Sequence, residues 1–473
     1  MLSFVVLPLT ARLLGMDAFG LLGIAATFQL IVFVMDGCNV ITRLMAREID
    51  SGKLDAKMRA SSLFLAAERR YIYLLGLGLS ASLALDMPLS MTFVAHSSLS
   101  SAVIGHALAL IGLGTFVKLI ASYYRGALIG LHAQVPANMI GLAANIVRFP
   151  VAYAISWLAP DIRVFLAIQL LSFLSEALVL RTAFKTRLDF KGRASLEPGR
   201  HCLHDERRFL ASTLGLAAIT TLANQVDKVM LASALTLRAF GAASLAILLC
   251  AGLFVLATPI HQIFLPRLAS RLGVDQQAAK QTIAAMMATL LCVTLPAALT
   301  LAFCAPMIAR LVAPSQSESL GLISDAFLLW GTGNCLAIVA LGLYLVYFAA
   351  GQVARYAALL LAYLAVYLPL SWWAVNTHGL HGAGAAWVAG NLLLLALLSV
   401  DLARRQVIDH GVLKMLVGSA ACLGMAWGLS SIIRPVMPSG AWTAACLTVL
   451  TFCSFLSMAV LVLLPTLRRA SPP

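Results

Sequence analysis

The sequence predicts an all-α polytopic membrane protein of about 14 transmembrane helices: two six-helix bundles related by a pseudo-two-fold along the membrane normal, plus two extra C-terminal helices. Three observations predict it: composition, the spacing of apolar spans and an internal echo. Hydrophobic residues fill 61% of 473 positions and charged residues only 11%, more apolar surface than one soluble core can hide. Lipid leaves the helix as the way for an open chain to satisfy its own backbone, and about 20 apolar residues span the hydrocarbon core.

Taken in order, spans are expected near 1–14, 19–41, 70–90, 99–124, 136–158 and 163–184. After the hydrophilic run KTRLDFKGRASLEPGRHCLHDERR they resume near 209–235, 240–265, 282–312, 320–350, 354–375 and 381–403, followed by 413–433 and 441–465. Residues 1–184 therefore read as the N-terminal bundle, 185–208 as a cytoplasmic linker, 209–403 as the C-terminal bundle and 404–473 as the added pair.

The echo supports this division. Ala18-Phe19-Gly20 recurs as Ala239-Phe240-Gly241, and Gly130 falls on Gly351, both at an offset of 221; Pro150 falls on Pro369 at 219. Because each repeat holds an even number of spans, the two run in the same direction, which places a transport site between bundles near the midplane. The first span is expected to be truncated. Residues 1–14 rise only about 21 Å as a helix, and Met1 aligns with Leu222, which puts the true start of the reading frame upstream.

The net charge of +14 does not point to nucleic acid once the basic residues are located. They crowd the loops after even-numbered spans: Arg43, Arg47, Lys53, Lys57, Arg59, Arg69 and Arg70 after span two, Arg125 after span four, and the linker run after span six. Further groups follow spans eight to fourteen, while the opposite loops hold only Arg163, Arg238, Arg310 and Arg434. This bias places both termini and the linker in the cytoplasm. Nine cysteines offer no CxxC or metal-ligand spacing, and eight of them read as small core residues.

Eight charged residues fall inside spans: Arg12, Asp36, Lys118, Arg148, Glu176, Asp227, Lys228 and Asp325. At about 2.5–3.5 kcal/mol each in lipid, they must face a bundle interior or a wet cavity. Helical spacing gathers them with uncharged polar residues into stripes. Gln29, Asp36 and Arg43 share one face, as do Thr115, Lys118, Ser122 and Arg125. Asn138, Gly141, Asn145 and Arg148 form the next stripe, followed by Gln169, Ser172 and Glu176, and by Thr213, Thr220, Asn224 and Asp227. Such stripes line a lumen or bond helix to helix. The first half holds Arg12, Lys118 and Arg148 and so supplies most of the cationic contacts. Tyr356, Tyr363 and Tyr367 share a face of span eleven suited to stacking on sugar rings, and Trp372 and Trp373 fit an interfacial belt.

The run LPLTARLLGMDAFGLLGIAATFQLIVFVMDGCNVITRLMARE resembles the N-terminal signature of Wzx-type O-antigen and polysaccharide flippases, within the multidrug/oligosaccharidyl-lipid/polysaccharide (MOP) exporter superfamily. The resemblance rests on Leu14-Gly15, Phe19-Gly20, Asp36-Gly37-Cys38-Asn39, Thr42-Arg43 and Ala46-Arg47-Glu48, with Cys38 where the family has an aromatic. Asp227-Lys228, Phe240-Gly241, Leu265-Pro266-Arg267-Leu268 and the run from Gly379 to Ala385 extend it to about residues 7–400.

It implies export of an undecaprenyl-pyrophosphate-linked oligosaccharide across the bacterial inner membrane by alternating access, residues 1–184 rocking against 209–403. Arg12, Lys118, Arg148 and Lys228 become candidate phosphate or acidic-sugar contacts. Asp36, Glu176, Asp227 and Asp325 become coupling or charge-pairing residues, and Gln29, Asn138, Asn145, Gln169 and Asn224 a polar lumen. No cofactor or metal is expected beyond a coupling proton or sodium ion. The implied partners are the lipid-linked oligosaccharide, the phospholipid bilayer, a polysaccharide polymerase and a chain-length regulator. The alternatives are a lipid II-type flippase, a cation-coupled multidrug antiporter of the same superfamily and, in a different class, a glycan polymerase or ligase. The last is disfavoured by short outward loops that carry no catalytic constellation.

Overall fold

The computed structural model of the chain describes residues 2–49, 56–94, 99–188, 207–272, 274–312 and 320–433. The centre of the linker and the span expected at 441–465 lie outside the described residues. Nearly all of the described chain is helical, and it falls into two compact units: residues 1–225 with 236–241, and 226–235 with 242–473. Among the described residues, eight helical stretches are long and apolar enough to cross a membrane. Two of them, Pro8–Ala46 and Val353–Arg404, each hold two of the expected spans.

Unit one begins with α1 (Leu2–Val32), broken at Gly15, where φ is 81° and ψ 167°. The continuous span expected at 19–41 is not formed. Helix α1 gives way to one 3₁₀ turn at Phe33–Met35 and then to α2 (Cys38–Ile49). Asp36 causes the break: its extended backbone leaves the helix, and its Oδ1 accepts the Cys38 N–H at 3.0 Å, capping the start of α2. Helix α3 (Ala56–Val94) starts well before the expected 70. Helices α4 (Ser101–Gly130), α5 (Gln134–Leu158) and α6 (Ile162–Leu188) follow. At the α5–α6 turn Asp161 accepts the Arg163 backbone N–H at 2.8 Å and pairs with its guanidinium. These bonds hold the Asp161 carboxyl below its ordinary range.

Helix α5 is patterned opposite to a helix on the surface of a soluble protein. Its buried residues are Ala137, Gly141, Arg148, Ala152 and Ser156, small or polar and recurring along one face. Val135, Met139, Leu142, Ile146 and Val147 are exposed on the other. Small residues inward let helices approach closely, and large apolar residues outward suit lipid.

Unit two contains the later part of α7 (Arg207–Ala234) and most of α8 (Leu237–Cys250), then α9 (Gly252–Arg271) and α10 (Gln276–Phe303). The span expected at 282–312 ends early. A break at Cys304 separates α10 from the short α11 (Ala305–Val312). Helix α12 (Leu320–Ala349) is the most deeply buried of the spanning stretches. The 52 residues of α13 (Val353–Arg404) are divided at Gly379, where φ is 55°, and α14 (His410–Ile433) is the thirteenth expected span.

Two local features bear on the repeat. The α4–α5 turn bonds the Ala133 N–H to the Leu128 carbonyl and the His132 N–H to that of Ile129. The α12–α13 turn bonds Gln352 to Tyr347 and Gly351 to Phe348 in the same way. Both are Schellman turns with one left-handed residue, His132 (φ 59°) and Gly351 (φ 68°). The counterpart of Gly351 is therefore His132 rather than Gly130, at the offset of 219 that also relates Pro150 to Pro369. The second feature lies within unit one, where the echoed Ala-Phe-Gly motifs touch each other. A Cβ on Gly20 would strike the Leu237 carbonyl, and one on Gly241 would strike the backbone of Met16 and Gly20. Both positions need glycine for this close approach.

Candidate functional site

Unit one carries a polar cluster inside its apolar bundle, built from α1, α4, α5 and α6. Glu176 on α6 is its centre. Its Oε2 accepts from Arg148 of α5 at 2.7 Å, with both side chains almost fully buried, and its Oε1 accepts from Arg125 of α4. Arg148 is also held by neutral groups: Nε donates to Ser172 Oγ at 3.0 Å, and a terminal nitrogen to Asn145 Oδ1 at 3.2 Å. The Asn145 amide donates in turn to the Gly141 carbonyl at 2.8 Å, which fixes its oxygen toward the guanidinium. The Phe173 ring lies 4.1 Å from the buried Arg148 guanidinium carbon, a cation–π contact.

Lys118 stands seven residues before Arg125 on α4, hence on the same face. Its Nζ donates to Gln29 Oε1 at 3.2 Å and lies 5.2 Å and 5.4 Å from the Phe33 and Phe173 ring centroids. Among the described residues no carboxylate pairs with it. Next on the same face, Ser122 donates to Asp36 Oδ2 at 3.0 Å. Three cations thus stand among two carboxylates, and one of those carboxylates is committed to capping α2.

Gly141 makes the Arg125 contact sterically possible, since a Cβ there would collide with the Arg125 guanidinium. Another ion pair braces the unit. Buried Glu68 accepts from Tyr124 Oη at 2.6 Å and lies 3.4 Å from Arg181, whose guanidinium carbon stands 5.9 Å from the Tyr124 ring centroid.

The charges of unit two are arranged differently. Asp227 is fully buried, its Oδ1 3.1 Å from Lys228 Nζ and its Oδ2 accepting from Trp330 Nε1 at 3.3 Å. Lys228 also lies 4.9 Å from the Trp387 ring centroid, and the Trp387 indole N–H donates to Asn334 at 3.1 Å. The Lys228 charge is matched locally by its neighbour. Asp325 pairs with His381 at 3.0 Å.

Of the residues singled out in the sequence, Gln29, Asp36, Lys118, Asn145, Arg148 and Glu176 come together in one cluster. Asp227 and Lys228 form a second pair and Asp325 a third contact. Asn138 and Arg12 are exposed and lie outside the cluster, Gln169 is half-buried and enters none of its hydrogen bonds, and Asn224 bonds the Thr220 carbonyl of its own helix. Tyr363 and Tyr367 stack on each other at 5.0 Å inside unit two and are buried with Tyr356, so that face is core rather than an open sugar platform. Trp372 and Trp373 are exposed. Sequence reasoning set Arg125 on one face with Lys118 but also counted it with the loop charges and did not carry it into the candidate site, although it lies within α4. Phe173, Trp330, Trp387 and His381 were also passed over; aromatic partners of cations leave no pattern along the chain.

No protein-family model matches the chain, and no curated protein does. Solved structures do. The chain is similar to the lipid II flippase MurJ in an inward closed conformation, with a TM-score of 0.75 and 13% identity over 98% of this chain and 97% of that one. It is similar to an inward-facing multidrug resistance MATE family transporter of the MOP superfamily, with a TM-score of 0.66 and 16% identity over 88% and 96% of the two chains. A MOP superfamily transporter from Pyrococcus furiosus, described as having a binding pocket of reverse polarity, follows at 0.54 and 16% identity over 86% and 94%. The fold is the one these solved structures share.

Proposed function

We propose that the chain is a flippase that moves an undecaprenyl-pyrophosphate-linked oligosaccharide, an O-antigen or exopolysaccharide repeat unit, across the bacterial inner membrane by alternating access, with both termini cytoplasmic. The observation that carries this reading is the convergence of Lys118, Arg125 and Arg148 inside the apolar unit one. Such a site repels a lipophilic cation and attracts a pyrophosphate, to which arginine offers a planar fork and lysine a point charge. Asn145, Ser172 and Gln29 add neutral partners that suit sugar hydroxyls. The likeness to a lipid II flippase over 98% of this chain supports a lipid-linked substrate. A proton or sodium gradient is the proposed energy source, with Asp36 and Asp227 as the carboxylates that respond to it. A polysaccharide polymerase and chain-length regulator are the proposed partners downstream.

The test is protection of a fluorescent undecaprenyl-pyrophosphate oligosaccharide from an external glycosidase in proteoliposomes, with and without each gradient. Protein-dependent protection is expected, and Arg148→Ala or Lys118→Ala is expected to abolish it while the protein still inserts. Efflux of small cations without protection of any lipid-linked glycan would replace this reading with the antiporter. Glycan chain growth in the same vesicles would replace it with the polymerase.

A further inference from the structure

Resting on that reading, we infer that Glu176 is a built-in competitor for the substrate's phosphate: it occupies the Arg125–Arg148 fork in the unloaded protein and, by retaking it, expels the substrate after translocation. Four observations carry this. Both oxygens of Glu176 are taken by the two arginines, as the oxygens of a bound phosphate would be. Arg148 is positioned without Glu176, by Ser172, by an Asn145 whose amide is itself anchored, and by the Phe173 ring. The carboxylate neutralises Arg148 rather than placing it.

The third observation is that the cations have donors to spare. Among the described residues, Arg125 Nε is buried with no hydrogen-bond partner, and the Lys118 ammonium has Gln29 as its hydrogen-bond acceptor. A carboxylate has two oxygens to offer; a pyrophosphate brings more acceptors and more charge to the same place. Fourth, the remaining carboxylate nearby, Asp36, is engaged by the Cys38 N–H and by Ser122 and does not take the fork. Displacement needs no bond chemistry, only exchange of one anion for another between the same guanidinium groups.

The consequence has a definite sign. A residue that positions arginines weakens substrate binding when it is neutralised, whereas a competitor strengthens it. The full-length protein in nanodiscs is titrated with a short-chain polyprenyl pyrophosphate by calorimetry, and its flipping rate is measured in proteoliposomes. Glu176→Gln is expected to tighten binding by about tenfold and to slow flipping, lowering KM and kcat together. Glu176→Asp, whose shorter side chain cannot span both guanidinium groups, is expected to shift both quantities the same way by less, and serves if the glutamine variant does not fold. Unchanged or weaker binding in these variants would overturn the competitor. Absence of polyprenyl pyrophosphate binding in the unaltered protein would instead remove the flippase reading on which it rests.

Discussion

Replacing Glu176 with leucine is predicted to destabilise unit one strongly, and removing Arg148 as well is predicted to restore part of the loss. Glu176→Leu strands Arg148, whose side chain is 7% exposed, and Arg125, which is 33% exposed. Breaking one side of a buried pair costs about 3–5 kcal/mol. Arg148 keeps Ser172, Asn145 and the Phe173 ring, and Arg125 is only partly buried, so the lower end, about 3 kcal/mol, applies. Arg148→Met leaves Glu176 with Arg125 and removes one hydrogen bond between charged groups, about 1.5–3 kcal/mol. The double variant leaves no charge of the trio except the partly exposed Arg125, so its cost falls well below the sum, with a coupling of about 2 kcal/mol. Unfolding of the purified protein by sodium dodecyl sulfate in mixed micelles, followed by circular dichroism, measures all three. Additive losses would refute the argument, because they would mean that Glu176 and Arg148 do not neutralise each other.

Other expectations follow from single contacts. Gly141→Ala pushes the Arg125 guanidinium aside and is expected to cost about 1–2 kcal/mol in the same assay, but little in an Arg125→Ala background. Gly241→Ala places a Cβ against the backbone of Met16 and Gly20, where nothing flexible can yield; a loss of about 2–3 kcal/mol is expected, larger than for glycines with open space such as Gly76. Gln406 closes α13 with φ 57°, so Gln406→Gly is expected to stabilise by about 0.5–1 kcal/mol, relief of left-handed strain exceeding the added freedom of the unfolded chain. Gly351→Ala, at the equivalent left-handed position of the preceding turn, is expected to destabilise by about 1 kcal/mol. Thermal melting in detergent reads both changes, and opposite signs are required.

What the sequence made legible is what lipid makes expensive to place elsewhere. An unpaired charge in a span has to find company, so Lys118, Arg148, Asp36 and Glu176 could be assigned to an interior from composition and spacing alone, and the structure brings them within one cluster. Helix breaks were harder. The break at Gly15 stood beside a recognisable Leu-Gly pair, but the one at Asp36 did not, because an aspartate inside a hydrophobic run reads equally as a lumen charge and as a helix cap. Here it caps the start of α2 through the Cys38 N–H and also accepts from Ser122 of α4. Arg125, although on one face with Lys118, stayed out of the candidate site for the same kind of reason. A basic residue near the end of a span satisfies the loop-charge bias whether it points to water or folds back, and the glycine that lets it fold back, Gly141, lies on another helix. The offset of 221 at Gly130 fails because glycine is not the marker of this turn. In the α4–α5 turn the left-handed residue is a histidine, whose identity gives no such signal.

The asymmetry between the two units is itself an argument about how such a site persists in a membrane. Unit two carries its buried lysine beside an aspartate one residue away in the chain, so Lys228 and Asp227 are neutral as a pair from the moment the helix forms. Unit one takes its cations from α4 and α5 and the carboxylate that pairs with both arginines from α6, so that pairing exists only after three helices have packed. A pair fixed within one helix is costly for a ligand to separate, since neither member can move away from the other. A pair formed between helices can be opened by a small displacement or by a stronger anion. Glu176 is therefore suited to two tasks that a permanently bare cationic pocket could not combine: it neutralises Arg148 in the empty protein, and it yields when an anion with more acceptor oxygens arrives. Moving the carboxylate onto α5 tests that distinction. Combining Glu176→Gln with Ala144→Glu sets the new carboxylate four residues before Arg148, one turn away on the same helix. The relocated pair is expected to recover stability in mixed micelles without recovering flipping, because the counter-ion then travels with the arginine it should release. Recovery of both would show that the position of the carboxylate is immaterial and that only the net charge of the cluster matters.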